Sequence, residues 1–143
     1  MQKEISSNVS RTIQTKLVLP PDTNHMGTIF GGTVLAYIDE IAAIAAMKHS
    51  KKAVVTASIN TVNFLSSAKV GDILTLEAFV LSVGTTSMKV YVKVECLHLE
   101  TDERRLTTTS TITMVAIDEN GRPTPVPKVR LESEWERSLL SEV

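Results

Sequence analysis

The sequence predicts an α+β fold in which an antiparallel sheet of five strands curves around one central helix, with a short helix at the C-terminus. One stretch has helical spacing and is apolar almost all the way round. A strand-like segment precedes it, and four long ones joined by turn-length connections follow it, which predicts antiparallel pairing. A helix this apolar needs a sheet that wraps around it, because its side chains would otherwise meet water.

The strands are predicted from alternating polarity and from β-branched residues. They are expected at residues 11–19, 53–66, 73–83, 86–99 and 105–117. Pro20-Pro21 closes the first strand, and Gly84 turns the third into the fourth. The turn at 101–104 leads into the fifth strand, so the last four strands follow one another without a helix.

The central helix is predicted to begin near Gly32 and to continue to Lys48 without an interrupting proline. Large apolar residues recur every three or four positions on one side, while small residues accompany Asp39 and Glu40 on the other. Small residues on that side indicate a second closely packed surface, which would leave the acids partly buried. Glu40 is expected at a solvated edge. Two roles are open for Asp39. Its carboxylate could be structural and satisfied by a backbone N–H or a lysine, or it could be functional.

The loop before this helix carries Asn24, Gly27, Gly31 and Gly32. Glycine is typical of positions where the backbone turns sharply or lies close to another group. The first amides of a helix have no intrahelical partner and lie at the positive end of the helix dipole, so they attract an oxygen that bears negative charge. The loop and the helix together therefore predict an anion-stabilising site near a carboxylate.

The two ends of the chain are predicted to lie outside the main domain, which spans residues 11–129. The polar residues 1–10 are expected to be a flexible N-terminus. The proline-rich segment 121–129 is expected to be an extended crossing, and residues 130–143 a helical tail. Leu131, Trp135 and Leu139 form one stripe of that tail, which is expected to dock onto its own assembly.

Composition excludes several classes of function. The 143 residues carry a net charge of −1 and no basic patch, which argues against nucleic acid as a partner. No run of eighteen apolar residues and no export signal is found, so we expect a cytoplasmic protein that does not bind a membrane. The single cysteine, Cys96, excludes an internal disulfide and is predicted to be a small buried filler.

Motifs of other enzyme classes are missing from the sequence. It contains no G-x-S-x-G, P-loop or strand-linked G-x-G-x-x-G, which argues against a serine hydrolase, an NTPase and a dinucleotide enzyme. His25, His49 and His98 are scattered and lack metal-ligand spacing, so no metal site is predicted.

A series of motifs resembles the acyl-CoA thioesterases of the hotdog fold, and among them the cytosolic acyl-CoA hydrolases. The most specific part is Asn24-x-x-Gly27-x-x-Phe30-Gly31-Gly32 followed by Asp39. VVTASINTVNF, VGD and VGTTSMKVYVKV come next in the same order, and GRPTPVPKV resembles the end of the family's domain. The resemblance covers roughly residues 11–129.

The resemblance implies a homodimeric hydrolase that cleaves acyl-CoA to a free acid and CoA at a dimer interface and often assembles as a trimer of dimers, a hexamer. No cofactor is implied, since the CoA thioester is the substrate. The family's catalytic acid falls on Asp39, its loop asparagine on Asn24 and its oxyanion-binding amide near Gly32. The chain departs from the family at Thr85, where a basic residue often follows the glycine, and at the bulky His25 and Met26.

Further candidate contacts to the acyl-CoA substrate come from the loop, the strands and the turn after the third strand. They are Gly31, His25, Thr56, Asn63, Gly84, Thr86 and Ser87, joined by a lysine or arginine from the C-terminal segment. A threonine or serine in a strand more commonly has a structural role.

The chemistry of thioester hydrolysis fits these residue types. Amides at Gly32 would stabilise the oxyanion, Asn24 could orient water or hold the carbonyl, and Asp39 could act as a general base or as a nucleophile. Gly32 and Asp39 lie roughly 10 Å apart along one helix. That spacing favours a site in which Asp39 faces Gly32 of a second subunit.

Two other functions remain compatible with the sequence. One is an acyl-CoA sensor that binds without hydrolysis, although such proteins usually carry an added DNA-binding segment. The other is an enoyl-thioester hydratase or dehydratase, which would use His25 together with an acid.

Overall fold

A computed structural model describes residues 3–142. Two short elements open the chain, β1 (Glu4–Ser6) and α1 (Ser7–Ser10). The main elements are β2 (Thr12–Leu17), α2 (Gly31–Ser50), β3 (Ala53–Phe64), β4 (Ile73–Val83), β5 (Ser87–His98) and β6 (Glu103–Ile117). The chain ends with β7 (Lys128–Arg130), α3 (Glu134–Leu139) and a 3-10 turn at Leu140–Glu142, and a second 3-10 turn lies at Pro20–Asp22.

The five long strands form one antiparallel sheet in the order β2-β4-β5-β6-β3, and α2 packs on its concave face. Val80, Val90 and Ile112 lie side by side on three neighbouring strands and are fully buried beneath α2. Ile38, Ile41 and several alanines of α2 fill the space above them. The predicted hotdog fold is therefore confirmed.

Helix α2 begins at Gly31 and ends at Ser50, slightly beyond the predicted bounds at both ends. Lys51 closes it in the left-handed conformation, with φ of 61°. Glu40 is exposed and lies 3.8 Å from Lys16, as expected of a solvated edge. Asp39 is half-buried. Ala46 is one of the small residues on the same side of the helix as Asp39 and Glu40, and it is completely buried. The wrapped sheet therefore covers more than one stripe of the helix.

The N-terminus differs from the flexible segment predicted for residues 1–10. Strand β1 pairs in parallel with β7, and Ser7 and Ser10 of α1 are fully buried. The Ser10 hydroxyl accepts a hydrogen bond from the Val80 amide at 2.9 Å. Its polar composition suggested flexibility, but the buried serines are satisfied by specific hydrogen bonds, which removes the cost of burying them. Met1, Gln2 and Val143 lie outside the described residues.

The C-terminal tail forms a shorter helix than the predicted 130–142. Ser133 caps α3 by accepting a hydrogen bond from the Glu136 amide at 3.1 Å. Leu139 is buried against Phe79 and Leu81 on the convex face of the sheet, and Leu131 packs at the edge of this cluster. The stripe predicted for the tail therefore docks onto the chain's own sheet.

Strand β3 is an edge strand that pairs only with β6. Val55, Ile59 and Phe64 on this strand are each exposed by 44% or more. A long edge with exposed apolar side chains is a template for pairing with another strand. Among residues 3–142, no helix is both long and apolar enough to cross a membrane.

His49 ties the end of α2 to the segment that follows β6. Its ring is 1% exposed, and Nε2 lies 2.8 Å from the carbonyl oxygen of Pro127. Burial lowers the pKa of His49, and the hydrogen bond to Pro127 only partly opposes this effect. The folded chain therefore binds fewer protons at this residue than the unfolded chain does.

We expect this histidine to make stability depend on pH. Its contribution should be complete above pH 6.5, the ordinary pKa, and should fall as the pH drops towards the lower folded-state pKa. His49→Gln keeps a donor for the Pro127 carbonyl but cannot titrate, so the loss of unfolding free energy between pH 7.5 and 5.5 should be smaller. Urea unfolding at both pH values measures this. His25→Gln, at an exposed position, is the control, and an unchanged pH slope in His49→Gln would contradict the assignment.

Candidate functional site

The loop between β2 and α2 is held in shape by Asn24. Its Oδ1 accepts hydrogen bonds from the Met26 amide at 2.9 Å and from the Thr28 amide at 3.2 Å. Gly27 at the tip has a φ of +78°, which side chains rarely allow. The Asn24 Nδ2 group donates to no other residue within 3–142, so it is free to donate to a ligand.

The start of α2 leaves two backbone donors unused. Phe30 is the N-cap and provides no side-chain cap, and its carbonyl accepts hydrogen bonds from Thr33 and Val34. The amides of Gly31 and Gly32 find no acceptor in the described part of the chain. A Cβ atom built on Gly32 would meet nothing within 4 Å. Both donors are therefore open to a ligand oxygen at the positive end of the helix dipole.

Asp39 lies two turns further along α2 and is held by one side chain of β3. Thr56 Oγ1 donates a hydrogen bond to Asp39 Oδ1 over 2.7 Å. Thr56 lies opposite Met114, which places it on the concave face beside α2. The sequence predicts Thr56 as a contact to the substrate, and the structure adds this hydrogen bond to Asp39. Oδ2 of Asp39 has no hydrogen-bond partner within residues 3–142.

The other predicted residues form no hydrogen bond with Asp39 within residues 3–142. His25 is exposed in the loop. Asn63 projects from the convex face, where its Nδ2 donates to Thr109 Oγ1 over 3.3 Å. Gly84, Thr86 and Ser87 form the turn between β4 and β5, at the end of the sheet opposite Asn63.

The candidate residues of the single chain fall into two groups. We call Asn24, Gly31 and Gly32 the donor half, and Asp39 and Thr56 the acid half. Seven residues of α2 separate Gly32 from Asp39, roughly 10 Å along the helix axis.

A buried cluster that the sequence did not reveal supports the donor half. Asp72 is 2% exposed and accepts hydrogen bonds from the Lys69 amide at 2.9 Å and from Cys96 Sγ at 3.3 Å, while His98 Nδ1 lies 2.7 Å away. Burial pushes the pKa of Asp72 upwards, but these hydrogen bonds outweigh it and hold the pKa below its usual range. The turn that Asp72 closes carries Ala68, whose carbonyl accepts from the Ile29 amide at 2.9 Å. The turn thus supports the loop just before α2.

Cys96 is not suited to nucleophilic chemistry. Burial and the neighbouring Asp72 raise the pKa of its thiol to about 11, so the thiolate form is scarce at neutral pH. The predicted role as a buried filler is confirmed by its 1% exposure. Within residues 3–142, no three His, Cys, Asp or Glu side chains are grouped so that they could hold a metal ion.

The family model of the thioesterase superfamily matches residues 26–101, and the chain belongs to this superfamily. An acyl-CoA thioester hydrolase of Bacillus subtilis, described as uncharacterized, is 48% identical over 130 residues, which cover 91% of this chain and 76% of the relative. The cytosolic acyl coenzyme A thioester hydrolase of Rattus norvegicus is 30% identical over 128 residues, or 88% of this chain and 34% of that one.

Solved structures give the same fold at high similarity. The crystal structure of an apo hexameric acyl-CoA thioesterase aligns with a TM-score of 0.95 and 62% identity, covering 97% of this chain and 89% of the other. An acyl-CoA hydrolase of Staphylococcus aureus, in complex with coenzyme A and with one asparagine replaced by alanine, aligns with a TM-score of 0.94 and 41% identity, covering 99% and 84%. Alanine variants of that hydrolase at an aspartate and at a threonine were also solved.

Proposed function

We propose that this chain is an acyl-CoA hydrolase that cleaves acyl-CoA to a free carboxylic acid and CoA at a site shared by two protomers. The observation that carries the proposal is the separation of two incomplete half-sites on one helix. The donor half has free amides and no base, and the acid half has a carboxylate held by Thr56 and no oxyanion donor. Each half supplies what the other lacks.

A homodimer built through β3 would bring the two halves together. Antiparallel pairing of the free β3 edge with its copy would continue the sheet and cover Val55 and Ile59. A two-fold axis at that edge would point Asp39 of one protomer towards Gly32 of the other. The hexameric relative supports further assembly, which we propose to be a trimer of dimers.

The Staphylococcus aureus variants support the choice of residues. The asparagine, aspartate and threonine that were replaced there follow one another at the same intervals as Asn24, Asp39 and Thr56 do in this chain. This agreement favours Thr56 as a member of the site beside Asp39 rather than as a contact to CoA.

The mechanism follows from the free atoms of each half-site. The amides of Gly31 and Gly32 hold the thioester carbonyl, and their hydrogen bonds strengthen as the oxygen becomes an oxyanion. Asn24 Nδ2 orients the attacking water. As the oxygen of the water bonds to the carbonyl carbon, Asp39 Oδ2 takes a proton from the water. Thr56 keeps Asp39 Oδ1 fixed by its hydrogen bond. Collapse of the tetrahedral intermediate then breaks the carbon–sulfur bond, and the proton on Asp39 passes to the CoA thiolate.

The turn between β4 and β5 offers a place for the phosphates of CoA. Gly84 and Thr85 line a surface recess of about 500 Å³ together with Lys128. Lys128 is exposed and forms no ion pair with an acid among residues 3–142. We propose that Lys128 replaces the basic residue that the family often carries after this glycine. Thr86 and Ser87 of the same turn, Gly31 and His25 of the donor half, and Asn63 remain proposed substrate contacts.

The alternative functions find less support in the geometry. A hydratase or dehydratase needs His25 beside an acid, yet His25 has no carboxylate partner within residues 3–142. A sensor without hydrolysis would not need a threonine that orients the carboxylate. We propose a cytoplasmic location, supported by the relative described as cytosolic, and a reaction that needs neither cofactor nor metal.

Removing the base should stop the chemistry without unfolding the protein. Asp39→Asn keeps the size of the side chain and can still accept from Thr56 but cannot take a proton, so kcat should fall about 10²- to 10⁴-fold. Release of free thiol from a panel of acyl-CoA substrates measures this, and Glu40→Gln is the matched control on the exposed side of α2. A wild-type chain that released no thiol from any acyl-CoA would refute the proposed activity.

The shared site can be tested by mixing two inactive variants. Asp39→Ala chains lack the acid half, and Asn24→Ala chains lack part of the donor half, so a mixed dimer retains one complete site. We expect activity to recover towards half of the wild-type value per mixed dimer after the variants are unfolded and refolded together. If the mixture is no more active than either variant alone, both halves belong to one protomer and the shared site is wrong.

Removing the lysine of the recess should weaken substrate binding selectively. Lys128→Ala should raise KM about two- to fivefold for acyl-CoA, as expected when one exposed ion contact is lost, with kcat nearly unchanged. The effect should shrink at high salt because exposed charges are screened. Lys51→Ala, at another exposed lysine, is the control. Equal KM values for Lys128→Ala and wild type at low salt would remove Lys128 from the CoA site.

A further inference from the structure

A cavity of about 310 Å³ opens beside the donor half of the site. It lies between the start of α2, the end of β3, the turn after β3 and the beginnings of β4 and β6. Its apolar lining consists of Ile29, Val34, Phe64, Leu65, Ala68 and Leu74. Gly31, whose amide is one of the two free donors, also lines it.

The cavity is open at one end and closed at the other. Gly31, Phe64 and Leu65 form the mouth, and the side chains of Phe64 and Leu65 are 53% and 58% exposed. The floor is made of core residues, each no more than 4% exposed, namely Val34, Ala68, Leu74, Thr107 and Thr108. A chain that enters beside Gly31 therefore meets a closed end.

Two of the four hydroxyl side chains that line the cavity donate to backbone carbonyls. Thr107 donates its hydroxyl to the carbonyl of Val94 over 2.9 Å, and Ser66 donates to that of Leu106 over 3.1 Å. Satisfied hydroxyls present mainly their methyl or methylene surface, so the interior suits a hydrocarbon.

Phe64 stands directly beside the oxyanion donors. A Cβ atom built on Gly31 would lie 3.4 Å from Phe64 Cζ, which is the distance of ordinary packing. The ring therefore flanks the path from the Gly31 amide into the cavity. A thioester whose carbonyl is bound at Gly31 and Gly32 has its alkyl chain pointing past this ring.

We propose that this cavity holds the acyl chain of the substrate and limits its length, with Phe64 and Leu65 selecting at the mouth and Ala68 and Leu74 setting the depth. The proposal rests on the function proposed above and adds the substrate class. The volume corresponds to about ten units the size of a water molecule, and a methylene group is of similar size. The preferred substrates are therefore medium-chain acyl-CoAs of up to about ten carbons.

The experiment measures kcat/KM for saturated acyl-CoAs from acetyl to palmitoyl. For the wild type, kcat/KM should rise about fourfold with each methylene group buried, and should level off or fall once the cavity is full. Leu74→Ala deepens the floor and should move the optimum to longer chains. Ala68→Leu fills the floor and should move it to shorter ones. Leu99→Ala, at an exposed leucine in the turn after β5, is the control and should leave the profile unchanged.

A rim variant protects the test from misfolding. Leu65→Trp adds bulk at an exposed position, so the fold should persist, and the ratio of kcat/KM for decanoyl-CoA to kcat/KM for acetyl-CoA should fall at least tenfold. Circular dichroism and thermal unfolding establish that each variant is folded. If Leu65→Trp and the folded floor variants all keep the wild-type chain-length profile, the cavity does not hold the acyl chain.

Failure of the proposed function has a different signature. In that case no acyl-CoA is hydrolysed by the wild type, and the cavity is tested by binding alone. Calorimetry with Asp39→Asn and the same acyl-CoA series should then still show binding affinity that rises with chain length up to about ten carbons. In a chain that also carries Leu65→Trp, this maximum length should be shorter. Affinity that does not depend on chain length would overturn the inference.

Discussion

The packing of α2 into the concave face of the sheet is the constraint on which the rest of the structure depends. Burying each Ile or Leu side chain contributes roughly 1.5–3 kcal/mol, and the fully buried residues of α2 and of the three central strands fix the axis and rotation of the helix. Once the rotation is fixed, Asp39 must face β3 and the free amides must lie at the end of the sheet near Phe64. The geometry of the site is therefore a consequence of core packing.

The same packing leaves β3 only partly covered. This strand lies at the edge of the sheet, and α2 lies against it at Asp39 beside Thr56 and at Gly31 beside Phe64. Because Val55 and Ile59 remain exposed in the single chain, assembly and catalysis are linked in the proposed enzyme. The surface that would join two protomers is also the surface along which their half-sites meet.

Hydrogen bonds of polar side chains support the donor half. Asn24 closes its own loop through Oδ1, and Asp72 closes the turn whose backbone supports that loop. A buried carboxylate is costly unless it is fully satisfied. Asp72 has amide, thiol and imidazole partners, and this arrangement fixes backbone atoms close to Gly31 without placing a charge in the cavity.

The sequence by itself determined the five long strands, the central helix and the Asn24-to-Asp39 stretch, because alternation, helical spacing and glycine placement are local signals. It did not determine that Ser7 and Ser10 would be buried, since Ser7 donates to Glu136 and Ser10 accepts from Val80, both far away in sequence. Only the tertiary structure decided that Thr56 holds Asp39, that Lys128 and Gly84 line one recess, and that Phe64 and Ala68 line one cavity. Each of these pairs joins residues from different elements, and their distance depends on how α2 and the curved sheet pack, which no local pattern encodes.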